Sequence, residues 1–247
     1  MQPLSLSVII PAYNEERRLP ATLETACAHL SRTQWDWEVR VVDDGSTDGT
    51  RRIVGDVSRR EPRVVLQAEP HRGKGGALKA ALLRTTKAYR IMCDADLSVP
   101  MHEVARFLPP VLTGVDVAIG SREGEGARRV GEPLARHLAG RVFNLAVRLL
   151  VVPGIQDTQC GFKMFTAAAA EAVFPSVTVE GWAFDTEALQ IARTRGLRIQ
   201  EVPIEWHYHP ESRVRVVRDG IDMFAELFRI RRRARRGAYN APVTRAS

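Results

Sequence analysis

Two aspartates separated by one alanine follow a short apolar run in the first half of the chain. The run spans 89–93, and Asp94, Ala95 and Asp96 come directly after it. Carboxylates this close together repel each other unless a cation or hydrogen-bond donors offset their charge. Mg²⁺ and Mn²⁺ bind a few carboxylate oxygens together with water and substrate phosphates. The pattern therefore predicts a divalent metal that bridges a departing diphosphate, with a solvated loop as the simpler alternative.

A second pair of carboxylates, Asp43 and Asp44, ends another apolar run and precedes a turn rich in glycine and serine. Turn chemistry explains the glycines and the serine, but it does not explain two adjacent carboxylates at the end of a strand. Carboxylates that accept hydrogen bonds from a nucleobase or a ribose explain this pair better.

The first apolar run is followed by a segment with an aromatic ring and a carboxylate, composed of Pro11, Ala12, Tyr13, Asn14 and Glu15. The ring of Tyr13 suits stacking on a base, and Glu15 suits acceptance from ribose hydroxyls or a base amide. The alternative is a turn that begins a helix, with Asn14 as its cap.

A glycine-rich segment from Gly73 to Gly76 contains Lys74 and opens a predicted helix. The N–H groups at a helix N-terminus favour anions. The segment therefore predicts a site for a phosphate or a base carbonyl, although its spacing is not that of a P-loop.

These segments lie at the ends of predicted strands in a chain that alternates strands and helices. Hydrophobic periodicity predicts strands at 6–10, 37–42, 64–67, 89–93, 115–120, 162–165 and 199–206. It predicts helices at 15–30, 50–59, 74–86, 140–152, 185–195 and 219–233. Such alternation indicates an α/β fold with a mostly parallel sheet, in which ligands bind at the carboxyl ends of the strands.

The composition is that of one globular domain with an anionic partner. The 247 residues are 45% hydrophobic and carry a net charge of +7. We expect one domain over 1–236, with a donor-binding half at about 1–122 and an acceptor- and membrane-facing half at about 123–236, and a disordered tail at 237–247. An aromatic-rich sheet signature and a recognition-helix pattern are both missing, so nucleic acid is not the expected partner.

The second half combines apolar residues with arginines. Arginines concentrate at 128–148 and again at 229–236. The apolar run at 142–152 is interrupted by Arg148 and preceded by Arg141, which suits a helix at a membrane interface; a core helix or a dimer interface is the alternative. The three cysteines lack metal-binding spacing, and we expect a reducing, cytoplasmic setting.

The motifs in their order resemble glycosyltransferase family 2. They are PAYNEE, VVDDGSTDGT, GKGGALKAAL, DADLSVP and GSR, and the later segments RRVGEPLARHLAGRVFN, DTQCGFKMF, GWAFDTE and SRVR resemble the dolichyl-phosphate glucosyltransferase and mannose synthase group. The resemblance covers about 5–232. It implies a GT-A, Rossmann-like fold with C-terminal acceptor-side helices. It also implies an inverting, Mg²⁺- or Mn²⁺-dependent transfer of a hexose to a polyprenyl or dolichyl phosphate at the cytoplasmic face of a membrane. UDP-glucose is the favoured donor and GDP-mannose the second. The resemblance does not decide whether a separate protein anchors the enzyme to the membrane.

The resemblance also implies roles for individual positions. The nucleoside and donor would be bound by Pro11, Ala12, Tyr13, Glu15, Asp44, Asp94, Ala95 and Asp96, beside Asp43 and Lys74. The metal would be held by Asp94, Asp96 and Ser98, which stands where the mannose synthases have a glutamine. The acceptor phosphate would be bound by Arg122 and Arg136. Lys163 would add charge near this phosphate, with a lysine at a strand edge as the alternative. Arg213 matches a lysine that reaches the donor diphosphate, and His207 replaces an arginine of those enzymes.

Asp157 matches a carboxylate in related membrane-associated transferases. We expect it as a general base or as an orienting group, with a structural role as the alternative. Other functions that the residues allow are a GT-A transferase with a soluble polysaccharide acceptor, a nucleotidyltransferase, and a basic nucleic-acid-binding protein.

Overall fold

The computed structural model describes residues 3–209 and 216–240. The strands are β1 (Ser5–Ala12), β2 (Asp36–Asp44), β3 (Val64–Glu69), β4 (Tyr89–Met92), β5 (Val117–Ser121), β6 (Arg128–Val130), β7 (Lys163–Thr166), β8 (Ile199–Pro203) and β9 (Glu205–His207). The helices are α1 (Leu19–Leu30), α2 (Thr50–Ser58), α3 (Lys74–Arg84), α4 (Leu134–Leu150), α5 (Ala167–Val173), α6 (Phe184–Thr194) and α7 (Val216–Arg235), with short 3₁₀ helices at Met101–Phe107 and Phe174–Ser176.

Seven strands form the central sheet in the order β3-β2-β1-β4-β7-β5-β8. Strands β3, β2, β1 and β4 are mutually parallel, β7 is antiparallel to both of its neighbours, and β8 is parallel to β5. The carboxyl ends of β1, β2, β4 and β5 therefore meet at one edge. Because β7 runs the opposite way, the chain enters it at that same edge. The predicted α/β fold with a mostly parallel sheet is confirmed.

The sheet is covered by helices on both faces because its strands are apolar on both. Successive side chains of a strand point to opposite faces. In β1, Val8 and Ile10 pack in one core with α1, α2 and the first 3₁₀ helix. Ile9 packs in a second core with α3, α5, α6 and part of α7. The continuous apolar run of a buried parallel strand follows from this double coverage.

The element boundaries differ from the predicted ones at several places. Helix α1 begins at Leu19 rather than residue 15, because 15–18 form a turn, and α4 begins six residues before the predicted start at 140. The predicted strand at 199–206 is two strands, since the chain leaves the main sheet at Ile204 and β9 then pairs with β6 in a separate two-stranded sheet. Strand β6, helix α5 and the 3₁₀ helices were not predicted.

The predicted disordered tail is wrong for its first four residues. Tyr239 is fully buried in the second core, and its hydroxyl donates to Glu187 Oε1 at 2.7 Å. A buried aromatic ring with a satisfied hydroxyl fixes this part of the chain. Residues 241–247 lie outside the described part of the structure.

Helices α4 and α7 carry large apolar side chains that are exposed. They are Leu134, Leu138, Leu145, Leu149, Phe224 and Phe228, with exposed fractions from 36% to 79%. At 100° per residue the four leucines lie on one face of α4, and the exposed Arg141 and Arg148 flank that face. Within the ranges that the structure describes, no helix has the length and apolarity needed to cross a membrane.

Candidate active site

A cavity of about 830 Å³ opens at the carboxyl ends of the strands. Its wall contains most of the predicted site residues, namely Pro11, Ala12, Tyr13, Glu15, Asp44, Lys74, Asp94, Ala95, Asp96, Ser98 and Arg122. The opposite wall comes from the second half of the chain and includes Phe143 and Asn144 of α4 and Phe224 of α7. Segments far apart in sequence thus meet because parallel strands end at one edge.

Asp94 forms an ion pair with Lys74, whose Nζ lies 2.5 Å from Asp94 Oδ1. Burial raises the pKa of a carboxyl, yet the facing ammonium holds the pKa of Asp94 below its ordinary value. Burial by itself lowers the pKa of Lys74, but nearby carboxylates, Asp94 first, raise it above its ordinary value. Gly161 lies against this pair, and a Cβ there would overlap the Asp94 carboxylate. Both groups are therefore charged and held in place at neutral pH.

Asp96 and Ser98 lie one turn further along the same loop. The backbone N–H of Ser98 donates to Asp96 Oδ1 at 2.9 Å, which orients the carboxylate at the cavity wall. Across 3–209 and 216–240, no three histidine, cysteine, aspartate or glutamate side chains converge as a metal site. Two carboxylates beside an open cavity fit Mg²⁺ or Mn²⁺ only if water and substrate phosphates complete the coordination.

Asp43 and Asp44 have different surroundings although they are adjacent. Asp44 lines the cavity and accepts hydrogen bonds from the backbone N–H groups of Arg72 (2.8 Å) and Gly73 (2.9 Å). Asp43 is fully buried away from the cavity and pairs with Arg51 Nε at 2.5 Å. The prediction that Asp43 binds substrate is therefore wrong, because consecutive strand residues point to opposite faces.

The N–H groups of the three glycines at the start of α3 are occupied by acceptors of the protein itself. The N–H groups of Gly75 and Gly76 donate to the carbonyl of Glu180 at 2.8 and 3.3 Å. A Cβ at Gly75 would lie 2.8 Å from the carbonyl oxygen of Val179, so close backbone packing requires glycine. The prediction of a phosphate site on these amides is wrong, although Lys74 itself lines the cavity.

Arg122 at the cavity wall forms a bidentate pair with Asp157, which does not line the cavity. Arg122 Nε donates to Asp157 Oδ2 at 2.7 Å, Nη2 donates to Oδ1 at 2.8 Å, and the Arg122 backbone N–H donates to Oδ2 at 3.0 Å. Burial raises the pKa of the Asp157 carboxyl, but Arg122 outweighs it and lowers the pKa to about 2. Both oxygens of Asp157 accept hydrogen bonds from Arg122 and the residue does not line the cavity, so the geometry favours an orienting group over a general base.

Lys163 is fully buried and does not line the cavity. Its Nζ lies 2.7 Å from Asp185 Oδ1 and donates to the carbonyl of Cys160. It is not at a sheet edge, because β7 lies between β4 and β5. The prediction that Lys163 contacts the acceptor phosphate is therefore wrong, since it lies beneath the cavity wall as the counter-ion of Asp185.

Two aromatic rings lie at the position where the sequence predicts that a nucleobase binds. The rings of Tyr13 and His71 stack with centroids 4.3 Å apart and an interplanar angle of 20°. His71 Nδ1 also lies 2.9 Å from Asp44 Oδ2. His71 was not among the predicted site residues. Two predicted residues lie outside the described structure, namely Arg213 and the side chain of Arg136.

The model of glycosyl transferase family 2 matches residues 7–174. The chain belongs to glycosyltransferase family 2. It is 33% identical to a dolichyl-phosphate beta-glucosyltransferase from Dictyostelium discoideum, over 92% of this chain and 73% of the relative. It is 34% identical to a dolichyl-phosphate beta-glucosyltransferase from Homo sapiens, over 97% and 79%. A relative of that name from Trichomonas vaginalis, 35% identical, is covered over 65% of its length.

Solved structures support the GT-A fold of this family 2 member. Mannosyl-3-phosphoglycerate synthase from Rubrobacter xylanophilus matches with a TM-score of 0.70 at 19% identity, over 96% of this chain and 76% of that one. Glucosyl-3-phosphoglycerate synthase from Mycobacterium tuberculosis, in complex with Mn²⁺, UDP-glucose and phosphoglyceric acid, matches with a TM-score of 0.65 at 19% identity, over 98% and 82%. At this identity the likeness establishes the fold alone, and the expected GT-A architecture is confirmed.

Several residues of the cavity wall in this family 2 chain were not predicted from the sequence. Asp185 and Trp182 lie beside Lys74, and Trp206 lies beneath Arg122, whose guanidinium carbon is 5.4 Å from the indole centroid. Burial raises the pKa of the Asp185 carboxyl. The available signal was the GWAFDTE segment, but an acidic residue at a helix start has an ordinary explanation as a dipole partner.

Proposed function

We propose that the chain is an inverting, metal-dependent hexosyltransferase that moves glucose from UDP-glucose to a polyprenyl or dolichyl phosphate. One observation carries the proposal: a single cavity joins the carboxylates of Asp94 and Asp96 to the guanidinium of Arg122, beside a helix with an exposed apolar face. The relatives named dolichyl-phosphate beta-glucosyltransferase support both the sugar and the lipid acceptor. In this proposal residues 1–236 act as one domain, with the donor half ending near 122.

The donor side would bind the nucleotide through Pro11, Ala12, Tyr13, Glu15, Asp44, Asp94 and Ala95. Mg²⁺ or Mn²⁺, held by Asp94 and Asp96 beside Ser98, would neutralise charge on the diphosphate when bound. Lys74 already neutralises Asp94 in the structure, so Asp96 is the carboxylate with more capacity for a metal. The motif match assigns Arg213 to the same diphosphate.

The acceptor side would bind the lipid phosphate through arginines. Arg122 uses Nε and Nη2 on Asp157. Its Nη1 makes no hydrogen bond to the described residues and would donate to a phosphate oxygen. Arg136 is the second proposed contact. Asp157 fixes the plane of the Arg122 guanidinium, which makes it a positioning residue.

A lipid phosphate needs no general base. Its second pKa is about 6, so its oxygen is already a nucleophile near neutral pH. The depressed pKa of Asp157 agrees with this chemistry, because it makes that carboxylate a weak base. The enzyme would instead align the phosphate oxygen with the anomeric carbon and stabilise the oxocarbenium-like transition state and the leaving diphosphate.

The membrane surface would lie against the exposed face of α4 and α7. Helix α4 has a face of four exposed leucines with two arginines beside it, and the same helix lines the cavity through Phe143 and Asn144. An amphipathic helix with basic flanks binds the interface of an anionic bilayer. The lipid acceptor would then reach the cavity along α4. We propose a peripheral enzyme at the cytoplasmic face. Binding of the protein alone to lipid vesicles supports this proposal, whereas no binding would indicate anchoring by a separate membrane protein.

A donor screen tests the proposal directly. The purified protein is incubated with polyprenyl phosphate and UDP-glucose, UDP-galactose or GDP-mannose, with EDTA, Mg²⁺ or Mn²⁺. The expected result is a glucosyl lipid and free UDP, formed only with the metal. A preference for GDP-mannose would reassign the sugar. Transfer to a soluble glycan at equal rate, or release of pyrophosphate, would contradict the acceptor or the reaction class.

A further inference from the structure

Glu187 is a fully buried carboxylate of α6 that lies behind the cavity wall. Its Oε2 accepts hydrogen bonds from the backbone N–H groups of Thr178 and Val179, each at 2.7 Å. Its Oε1 accepts from the Thr178 hydroxyl at 2.9 Å and from the Tyr239 hydroxyl at 2.7 Å. Three of these four donors belong to Thr178 and Val179, so the buried carboxylate fixes the start of the segment 178–182.

The segment that Glu187 holds supports the first turn of α3. The carbonyl of Glu180 accepts the N–H groups of Gly75 and Gly76, at 2.8 and 3.3 Å. A Cβ on Gly73 would lie 2.7 Å from the same carbonyl oxygen. The start of α3 therefore rests directly on the backbone of 178–182, and a shift of that segment must move the helix start.

The same segment reaches the donor site through side chains. Trp182 lines the cavity, and the Nζ of Lys74 lies 5.6 Å from its ring centroid. Lys74 in turn pairs with Asp94. The connection thus runs from Glu187 to residues 178 and 179, along the backbone to Trp182, and through Lys74 to a carboxylate of the donor site, although Glu187 itself does not line the cavity.

Tyr239 connects the C-terminal end of the described chain to this arrangement. Its backbone carbonyl accepts a hydrogen bond from Arg195 Nε at 3.1 Å, and the guanidinium carbon of Arg233 lies 5.7 Å from its ring centroid. Tyr239 is therefore fixed from both sides while its hydroxyl completes the shell of Glu187. Loss of this hydroxyl leaves Glu187 in place with one donor fewer.

We propose that Glu187 is a positioning residue for the nucleotide-sugar donor, acting through the segment 178–182 and Lys74, and that Tyr239 is part of this support. The inference rests on the proposed function for the identity of the donor. Its consequence is that a residue after α7, beyond the acceptor-side helices, controls donor affinity.

The test compares Glu187→Gln and Tyr239→Phe with wild type, and Tyr89→Phe is the matched control. Tyr89 is partly buried in the other core, and its hydroxyl makes no hydrogen bond to the described residues. UDP-glucose affinity is measured by calorimetry with Mn²⁺, and kcat and KM are measured with polyprenyl phosphate. We expect donor affinity to fall and donor KM to rise about three- to tenfold in both variants, with kcat within about twofold. Tyr89→Phe should match wild type.

Three results would overturn the inference. If the variants lose thermal stability but bind UDP-glucose like wild type, Glu187 has a structural role only. The same conclusion follows if the donor KM of Tyr239→Phe equals that of Tyr89→Phe. If Glu187→Gln does not fold, Tyr239→Phe carries the test alone. A wild type that binds UDP-glucose without forming lipid product overturns the proposed function and leaves this inference measurable. A wild type that does not bind UDP-glucose overturns both.

Discussion

The two walls of the cavity are built in different ways. On the donor wall, backbone N–H groups position two of the three cavity carboxylates: those of Arg72 and Gly73 donate to Asp44, and that of Ser98 donates to Asp96, while Asp94 is held by the ammonium of Lys74. On the acceptor wall, the arginines are positioned mainly by side-chain ion pairs. Arg122 is fixed by Asp157, and Arg129 is fixed by Glu123 and Glu132 at 2.7 and 2.6 Å.

The supporting elements differ in the same sense. The donor wall is carried by four parallel strands, of which β1 and β4 are almost completely buried, whereas the acceptor wall is carried by the end of β5, by two three-residue strands and by helices with exposed leucines. A rigid sheet suits a nucleotide of one shape and a metal that tolerates little displacement. Helices with an unpartnered apolar face suit a long lipid and a surface that completes their burial. The comparison predicts that the two walls can be damaged separately.

The largest effect is expected on the donor wall. Asp96→Asn removes the negative charge with which Asp96 would hold the metal against the diphosphate, and transfer should fall about 100- to 1000-fold. Loss of Mn²⁺-dependent UDP binding in calorimetry should accompany it. Asp56→Asn, on the surface of α2, is the matched control and should retain wild-type rates. Wild-type turnover by Asp96→Asn would remove the metal from the mechanism.

The next effect is expected on the acceptor wall. Arg136→Ala should reduce transfer to polyprenyl phosphate about 10- to 100-fold, because one charge-assisted contact to the phosphate is lost. UDP-glucose affinity should stay within about twofold of wild type. Arg128→Ala removes an arginine whose side chain is 72% exposed and serves as control. If Arg136→Ala weakens donor and acceptor equally, the two walls are not separate.

A smaller effect concerns stability and pH. Because the folded state depresses the Asp157 pKa to about 2 from 3.8, the unfolded state binds more protons between these values. The contribution of Asp157 to the free energy of unfolding, about 2 kcal/mol, should therefore be fully present above about pH 5 and be lost as the pH falls towards 2. Denaturant unfolding across this range measures it. Asp157→Asn should lack that contribution to the slope and be less stable at pH 7, because Arg122 stays buried without its partner.

The smallest effect is expected at the exposed face of α4. Leu149→Glu or Leu145→Glu should weaken binding to anionic vesicles about three- to tenfold, because a charge replaces an apolar contact with the interface. Sedimentation with phosphatidylglycerol vesicles measures it. Val111→Glu changes an exposed valine outside this face and is the control. Equal loss in all three variants, or none in any, would contradict a bilayer-facing α4.

The sequence located the donor wall well because its signals are local. Each motif follows an apolar run, and parallel strands bring such run ends together, so Asp44, Asp94 and Asp96 were all correctly placed at the cavity. The prediction failed where a shift of one residue along a strand decides which face a side chain points to. Asp43 is the example, because its side chain points to the opposite face from that of Asp44. The prediction also failed where the partner is distant in sequence. The carbonyl that occupies the amides of Gly75 and Gly76 comes from Glu180.

The single antiparallel strand has a consequence for engineering. Because β7 lies between β4 and β5, the stretch 157–163 supplies the partner of Arg122, the glycine against Asp94 and the buried Lys163 within seven consecutive residues. In a chimaera joined at residue 122, β4 and its sheet neighbour β7 would come from different proteins. Exchange of sugar-binding modules between relatives must therefore carry this stretch along with the N-terminal segment.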